Sequence, residues 1–168
     1  MAFHAAHSAG NVLVRASDTD VLVILLGMLG KQAENNGSYM QIFMDFGSGN
    51  SRRHIDVTKI ASTLEAKKKG LAAAMPGLHA FTGCDYTSAF YRKGKIKPLE
   101  LLMKEESDSF TQLFKELSSQ GVEDESISTA EEFVCNLYGM KDDSVNGARY
   151  TKLINMSGKV NEVNEIIF

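Results

Sequence analysis

The sequence has 168 residues, of which 43% are hydrophobic and 23% charged. That length is enough for one ordinary domain with a buried core, and the composition excludes a disordered chain. The formal net charge of −3 excludes a general basic coat for nucleic acid, so any contact with nucleic acid must come from a local basic patch.

Two further classes are excluded by the apolar and cysteine content. No apolar run reaches the roughly 18 residues that a membrane-spanning helix needs, and the longest covers residues 21–29. Cys84 and Cys135 form no CxxC motif, which excludes a zinc site built on cysteines. Two distant cysteines favour a reducing compartment, so we expect an intracellular protein, nuclear or cytoplasmic.

The chain begins with a predicted helix. Phe3, His4 and His7 share one face of it among small alanines, and Gly10 ends it. This start and the C-terminal end at SGKVNEVNEIIF are both abrupt. We therefore expect the sequence to be a fragment of a longer protein.

Strands and a helix follow in alternation. The β-branched run at residues 11–16 predicts a buried strand, and the apolar run after it predicts a helix. Residues 39–46 and 54–57 predict two more strands, with a glycine-rich turn between them.

The second half of the sequence is predominantly helical. Residues 58–69 end in three lysines and a glycine, as a helix C-terminus prefers. Residues 71–84 predict the next helix, with a kink or break at Pro76. Two more amphipathic patterns follow Ser107 and Ser128. We predict an α/β fold with a small, mostly parallel sheet, flanking helices and a helical C-terminal extension.

An acidic pair follows the first predicted strand in the stretch RASDTDV. In open α/β sheets, ligands bind at the carboxyl ends of strands, where Asp18 and Asp20 would lie. Two carboxylates about 4 Å apart repel by roughly 4 kcal/mol at an effective dielectric near 20, and Mg²⁺ or Mn²⁺ relieves that repulsion. The alternative is structural: Ser17 and Asp20 fit a capping box, with Asp18 favoured in the first helical turn.

A third acid, Asp85, lies in LHAFTGCDYTSAFYRKGK, after the predicted apolar helix. A carboxylate beside a run of cations is compatible with a metal ligand next to a phosphate-binding loop. It is equally compatible with a turn residue after Gly83 or with the cap of the next helix, because Asp is common at both places.

The run of cations surrounds one glycine. Gly94 would let backbone N–H groups approach a phosphate, and the neighbouring cations add positive charge. These cations are Arg92, Lys93, Lys95 and Lys97. A solvated, lysine-rich surface loop is the alternative.

Histidines and one cysteine offer other chemistry. His4, His7 and His79 are metal-ligand candidates, although histidines on apolar helices are also core residues with a satisfied hydrogen bond. Cys84 and His79 would make a nucleophile pair, but five residues apart on one helix is poor geometry and no orienting third group is evident.

In combination, these motifs resemble the PIN-like nuclease domain of the flap endonuclease family. In that family a strand ends in an acid-x-acid pair, and a later helix ends in Gly-Ser-Asp-Tyr before a helix-two-turn-helix with a Gly-x-Gly turn. Asp18 and Asp20 match the pair, and Gly83, Cys84, Asp85 and Tyr86 match the second motif. Gly94 and Lys95 match the end of the turn.

A closer similarity is to a group of uncharacterised, multicopy animal proteins linked to mobile elements. Their segments resemble HAAHAA, DDTDVF and LHAFTGCDTVSAFxGKGK, and the similarity covers about residues 1–158 of this sequence. It implies one PIN-like domain over residues 1–158, lacking its N-terminal strands, and a tail over residues 159–168.

The resemblance implies a metal-dependent nuclease. Asp18, Asp20 and Asp85 would be catalytic acids that bind Mg²⁺ or Mn²⁺ for phosphodiester hydrolysis. A basic loop would hold the nucleic-acid backbone without reading its sequence, with DNA favoured over RNA. The residues of that loop are Arg92, Lys93, Gly94, Lys95 and Lys97.

The sequence lacks several acids of the family, which lowers the nuclease activity expected of this chain by itself. The family has a further aspartate on its first strand, another acid further along, and two glutamates just before the helix that Met1 interrupts; none is present here. Arg92 also lies where the closer group often has glycine. We expect the longer parent protein to carry the activity and this fragment to be weak or inactive. The alternative is an inactive PIN-like module that binds nucleic acid or protein.

Overall fold

The computed structural model describes residues 10–35, 40–119, 124–142 and 144–157. The chain divides into two compact units, Met1–Gly121 and Val122–Phe168, which are described separately. The predicted helix around Phe3, His4 and His7 lies outside the described residues, as does the predicted domain boundary at residue 158.

A small sheet lies in the first unit. Its described strands are β1 (Val12–Ala16), β2 (Ile42–Phe46) and β3 (Arg53–Asp56), in the order β1-β2-β3. β1 and β2 are parallel, whereas β2 and β3 are antiparallel. The predicted α/β class is therefore confirmed, and the sheet is mixed, with one pairing of each kind.

Helices flank this sheet in the first unit, and the described part of the second unit is also helical. The first unit contains α1 (Thr19–Glu34), α2 (Val57–Lys67), α3 (Leu71–Phe81), α4 (Ile96–Lys104) and α5 (Ser109–Leu117), with a short 3₁₀ turn at Gly49–Ser51. The second unit contains α6 (Asp124–Leu137) and α7 (Val145–Ser157). The break predicted at Pro76 is wrong, because α3 continues through this residue.

Apolar side chains from the sheet and helices form the core of the first unit. One face of β1 and β2 packs against α1 and α2, as the alternation of apolar residues along the strands requires. The buried members include Val14, Leu25, Leu29, Ile42, Met44 and Val57. The predictions of strands at residues 11–16 and 54–57 and of a helix after Asp18 are confirmed to within a few residues.

Small residues let α1 and α3 approach each other closely. A Cβ atom added to Gly30 would lie 2.2 Å from the backbone nitrogen of Ala73, and one added to Gly27 would lie 2.3 Å from Cγ of Pro76. Both distances are far below van der Waals contact, so only glycine fits at either position: at Gly30 the two backbones touch, and at Gly27 the α1 backbone meets the ring of Pro76. The two helices run antiparallel, because Gly30 faces Ala73 whereas Asp20 contacts His79.

A neighbouring face of α3 packs as closely on α5. A Cβ on Gly77 would lie 2.1 Å from the carbonyl oxygen of Phe114. The Gly77 N–H donates to Oγ of Ser118 at 2.8 Å. α3 is therefore held between α1 and α5 by contacts that depend on the absence of side chains.

A row of charges crosses the other face of the sheet. Asp45 on β2 is only 2% exposed, and its carboxylate accepts from Nε and Nη2 of Arg52 at 2.6 and 2.7 Å. Arg15 and His54 lie opposite Asp45 in the strand register, each 3.9 Å from one of its oxygens. The Arg52 hydrogen bonds hold the pKa of Asp45 below its ordinary value. This bidentate pairing makes burial of the carboxylate tolerable.

Replacing Gly30 by Ala tests the close packing of α1 and α3. The added methyl group has no space against the backbone of Ala73, so we expect the free energy of unfolding to fall by about 1–3 kcal/mol despite the higher helix propensity of Ala. Denaturant titration followed by circular dichroism measures this change.

Gly147→Ala is the control, since its added methyl group would meet side-chain atoms only, Oγ of Ser144 at 3.2 Å and two atoms of Asp142 at 3.5 and 3.8 Å, and no backbone. We expect its stability to be unchanged or slightly higher. A Gly30→Ala protein as stable as the native chain would contradict the packing described here.

Stability should also depend on pH through Asp45. Because its folded-state pKa is lowered, ionised Asp45 stabilises the fold above its unfolded-state pKa, and this contribution is lost as the pH falls below the ordinary value of 3.8. We expect the free energy of unfolding to fall less steeply with acidification in Asp45→Asn than in the native chain. Urea titrations between about pH 6 and about pH 2.5 measure the two slopes. Parallel slopes would show that Asp45 is not the titrating group.

Candidate functional site

The acidic pair lies at the carboxyl edge of the parallel strands. β1 ends at Ala16, and Asp18 has an extended backbone and forms the N-cap of α1. Its Oδ1 accepts the backbone N–H of Asp20 at 2.8 Å. The capping box proposed for Ser17 and Asp20 is wrong, because the helix begins at Thr19 and the cap position falls one residue later than Ser17.

Asp20 is paired with a histidine from another helix. Nε2 of His79, near the C-terminal end of α3, lies 2.8 Å from Oδ1 of Asp20, and both side chains are largely shielded from solvent. Because an ionised carboxylate only accepts hydrogen bonds, Nε2 carries the proton and donates. The antiparallel contact of α1 and α3 thus brings the start of α1 to the end of α3.

A tight turn follows α3 and carries the third aspartate. Gly83 has a φ of +101°, and a Cβ there would lie 2.5 Å from Cα of Ala89, so this position requires glycine. Cys84 and Thr87 exchange backbone hydrogen bonds, both 3.3 Å long, across the turn. Asp85 therefore lies in a short, closed turn anchored to the end of α3.

The side chain of Lys95 caps α3 from the following loop. Its Nζ donates to the carbonyl of His79 at 2.7 Å, to Oγ1 of Thr82 at 3.0 Å and to the carbonyl of Gly83. A cation is favourable at this helix end, where carbonyl dipoles point outward. We therefore assign Lys95 to the cap of α3 and retain the nucleic-acid prediction for the other members of the basic loop.

The negative charge of Asp20 affects the pKa values of Cys84, in this turn, and of Lys95. A hydrogen bond from Thr87 lowers the pKa of the Cys84 thiol, and the negative charge of Asp20 opposes that shift. Burial lowers the pKa of Lys95, whereas Cys84 and Asp20 act to raise it. The pair of Cys84 with His79 considered as a nucleophile is not formed, because the thiol contacts Oγ1 of Thr87 and the imidazole contacts the carboxylate of Asp20.

The three predicted acids do not make a complete metal site by themselves. Asp85 is exposed, and its carboxylate makes no hydrogen bond or ion pair with another residue in the described part of the chain. Within that same part, no three His, Cys, Asp or Glu side chains are grouped so as to hold a metal ion. The carboxylates suit Mg²⁺ or Mn²⁺ in ligand chemistry, but ligands from elsewhere would be needed to complete a site.

The basic loop has an unusual backbone. Arg92 and Gly94 both have left-handed conformations, with φ values of +57° and +58°. This conformation favours glycine, which gives a physical reason for the Gly-x-Gly spacing of similar turns. Arg92 occupies the first of these positions in spite of its side chain, and its guanidinium lies 5.0 Å from the ring centroid of Tyr91. Arg92 and Lys97 are exposed, whereas Lys93 is half-buried.

Some residues of the candidate site could be proposed from the sequence and others could not. Asp18, Asp20 and Asp85 were identified by the residues around them, but the role of His79 as partner of Asp20 was missed. The burial of Asp45 was also missed. A lone acid in the apolar stretch QIFMDF is a signal for a paired, buried carboxylate. His4 and His7 lie outside the described residues.

No protein-family model, curated protein or solved structure matches this chain. The resemblance to the flap endonuclease family therefore stays a prediction that rests on the motifs quoted above. None of the described helices is long and apolar enough to cross a membrane.

Arg92→Gly tests the backbone of the basic loop. Glycine adopts the left-handed conformation without the penalty of roughly 1–2 kcal/mol that an L-residue incurs, although it also gives the unfolded chain more freedom. We expect a net rise in stability of up to about 1 kcal/mol, measured by denaturant titration.

Lys93→Gly is the matched control in the same turn. Its φ is not positive, so glycine there brings the entropic cost without any relief of backbone strain, and it also removes a half-buried side chain; both effects should lower stability. A fall in stability for both variants would contradict the left-handed conformation of Arg92.

Proposed function

We propose that this chain supplies part of a divalent-metal site for phosphodiester hydrolysis on nucleic acid, in a longer parent protein. The supporting observation is the 2.8 Å contact between Nε2 of His79 and Oδ1 of Asp20. Through this contact the end of α3, and with it the turn that carries Asp85, lies near the acidic pair at the carboxyl edge of the sheet. This is the edge at which ligands bind in open α/β sheets.

The proposed acids have different local roles. Asp18 uses one oxygen to cap α1, and Asp20 uses one oxygen to accept from His79, so each keeps a second oxygen for a ligand. His79 is a positioning residue in this proposal, because it fixes the orientation of the Asp20 carboxylate. Asp85 contributes an exposed carboxylate from the turn after α3.

The chain alone is proposed to be weak or inactive. The described residues do not group three ligands, and hydrolysis of this kind depends on the number and geometry of bound ions. Further acids from another segment of the parent protein would complete the site, as the family resemblance implies.

The basic loop would hold the substrate backbone. Arg92 and Lys97 are exposed cations, and Gly94 leaves open space where a side chain would otherwise stand, since a Cβ there would meet no atom within 4 Å. Together with Lys93 these residues suit phosphate contacts that carry no sequence information. DNA is the proposed polymer.

A second candidate function is a module that binds nucleic acid without cleaving it. The observation that favours it is the cap formed by Asp18, because this cap gives a structural reason for an acid that the resemblance treats as a metal ligand. The two functions differ in one measurable property, which is binding of a divalent ion by the aspartates.

Metal binding and cleavage test the proposal together. We expect the 168-residue chain to bind Mn²⁺ and to show little or no Mg²⁺-dependent cleavage of DNA. Asp20→Asn and Asp85→Asn should each weaken Mn²⁺ binding by about ten-fold or more, measured by calorimetry or by electron paramagnetic resonance.

Asp108→Asn is the control, since this acid is highly exposed and caps no helix through its side chain. Mn²⁺ affinity that is the same in all three variants and the native chain would reject the metal site. Robust Mg²⁺-dependent cleavage that Asp85→Ala abolishes would instead show that the chain already contains a complete site.

A further inference from the structure

Two tyrosines near the basic loop are unusually exposed. Tyr86, in the turn after α3, is 92% exposed, and Tyr91, at the start of the basic loop, is 72% exposed. A tyrosine ring normally contributes to stability by burying its large apolar face. Exposure to this degree means that the Tyr86 ring contributes almost nothing to the fold, which leaves it available to a ligand.

The segment that carries Tyr86 and leads to Tyr91 is held against α3 by several contacts. Gly83 approaches Ala89 so closely that the segment between them forms a closed loop, and the Cys84–Thr87 hydrogen bonds fix its turn. After this loop, the ring of Phe90 packs 5.4 Å from that of Phe81 on α3. Rings held on such a scaffold bind with little loss of conformational entropy.

The surroundings of the rings are basic. Arg92 places its guanidinium 5.0 Å from the Tyr91 ring, and Lys97 adds another exposed cation. Asp85 is the acidic residue in the same turn as Tyr86. Exposed aromatic faces beside cations are the combination that binds single strands, in which bases stack on rings and phosphates pair with cations.

A double helix would use only half of this surface. Its phosphates would contact Arg92 and Lys97, but its base faces are stacked inside the duplex and unavailable to tyrosine rings. A single strand offers both phosphates and free base faces.

We infer that Tyr86 and Tyr91 stack on the bases of a single-stranded segment of nucleic acid whose phosphates contact Arg92 and Lys97. This inference rests on the proposed function, since it names the form of nucleic acid that the basic loop takes. Base stacking of this kind tolerates any base, so the surface would prefer single strands over duplexes without preferring a sequence.

Binding to three labelled ligands of equal length tests the inference: a single-stranded oligothymidylate, a chain of abasic sites with the same phosphates, and a duplex. Fluorescence anisotropy in the presence of a chelator measures affinity without cleavage. We expect the full chain to bind oligothymidylate about ten-fold or more tightly than the abasic chain, which is within the range measured for one base stacked on one aromatic ring.

Variants separate the rings from the charges. Tyr86→Leu and Tyr91→Leu should each weaken oligothymidylate binding by about ten-fold and leave the abasic chain unaffected, whereas Phe at either position should preserve binding. Lys97→Ala should weaken the binding of all three ligands to a similar extent. Tyr150→Leu, which changes an exposed tyrosine on α7, is the control and should change nothing.

Each other result overturns the inference in a recognisable way. Equal affinity for oligothymidylate and the abasic chain, or a preference for the duplex, would reject stacking while leaving backbone binding and the proposed function intact. Full affinity in the Leu variants would reject the role of these rings. Failure to bind any of the three ligands at low salt would reject nucleic-acid binding and with it the proposed function.

Discussion

Direct backbone contact between α1 and α3 is the constraint on which the first unit depends. Gly30 lies against Ala73 with no space for a methyl group, and Gly77 brings a neighbouring face of α3 equally close to α5. Helices packed this closely cannot slide without collision, so the ends of α1 and α3 are fixed relative to each other. The contact of Asp20 with His79 follows from that geometry, as does the placement of the turn that carries Asp85.

The candidate site is built from two helix ends of opposite polarity. At the start of α1, where N–H groups are unsatisfied, Asp18 supplies a carboxylate. At the end of α3, where carbonyl groups are unsatisfied, Lys95 supplies an ammonium group. Each charge therefore has a structural purpose that is independent of any ligand. In the proposed function, a metal ion can bind only those carboxylate oxygen atoms that are not already engaged in these structural contacts.

The sequence predicted the elements better than the contacts between them. β1 and α1 were predictable because β-branched and apolar periodicity is a local property. The prediction at Pro76 was wrong only about the continuity of α3. The cap at Asp18 was misassigned by one residue, because a cap depends on where the first helical dihedral falls. The inward direction of Lys95 could not be predicted among neighbouring lysines, since its partners lie on a separate helix. The same holds for the pairing of Asp20 with His79.

Arg92 gives the basic loop a local stability different from that of its surroundings. An L-residue held at a φ of +57° stores backbone energy of roughly 1–2 kcal/mol, which is released whenever the turn opens. Opening of this turn therefore needs less free energy than opening of the helices on either side, and its amide protons will exchange with solvent sooner. Opening confined to the turn at Arg92 would let this part of the loop adjust to ligands of different backbone shape, while Lys95 still binds the carbonyl of His79 and holds the end of α3 in place.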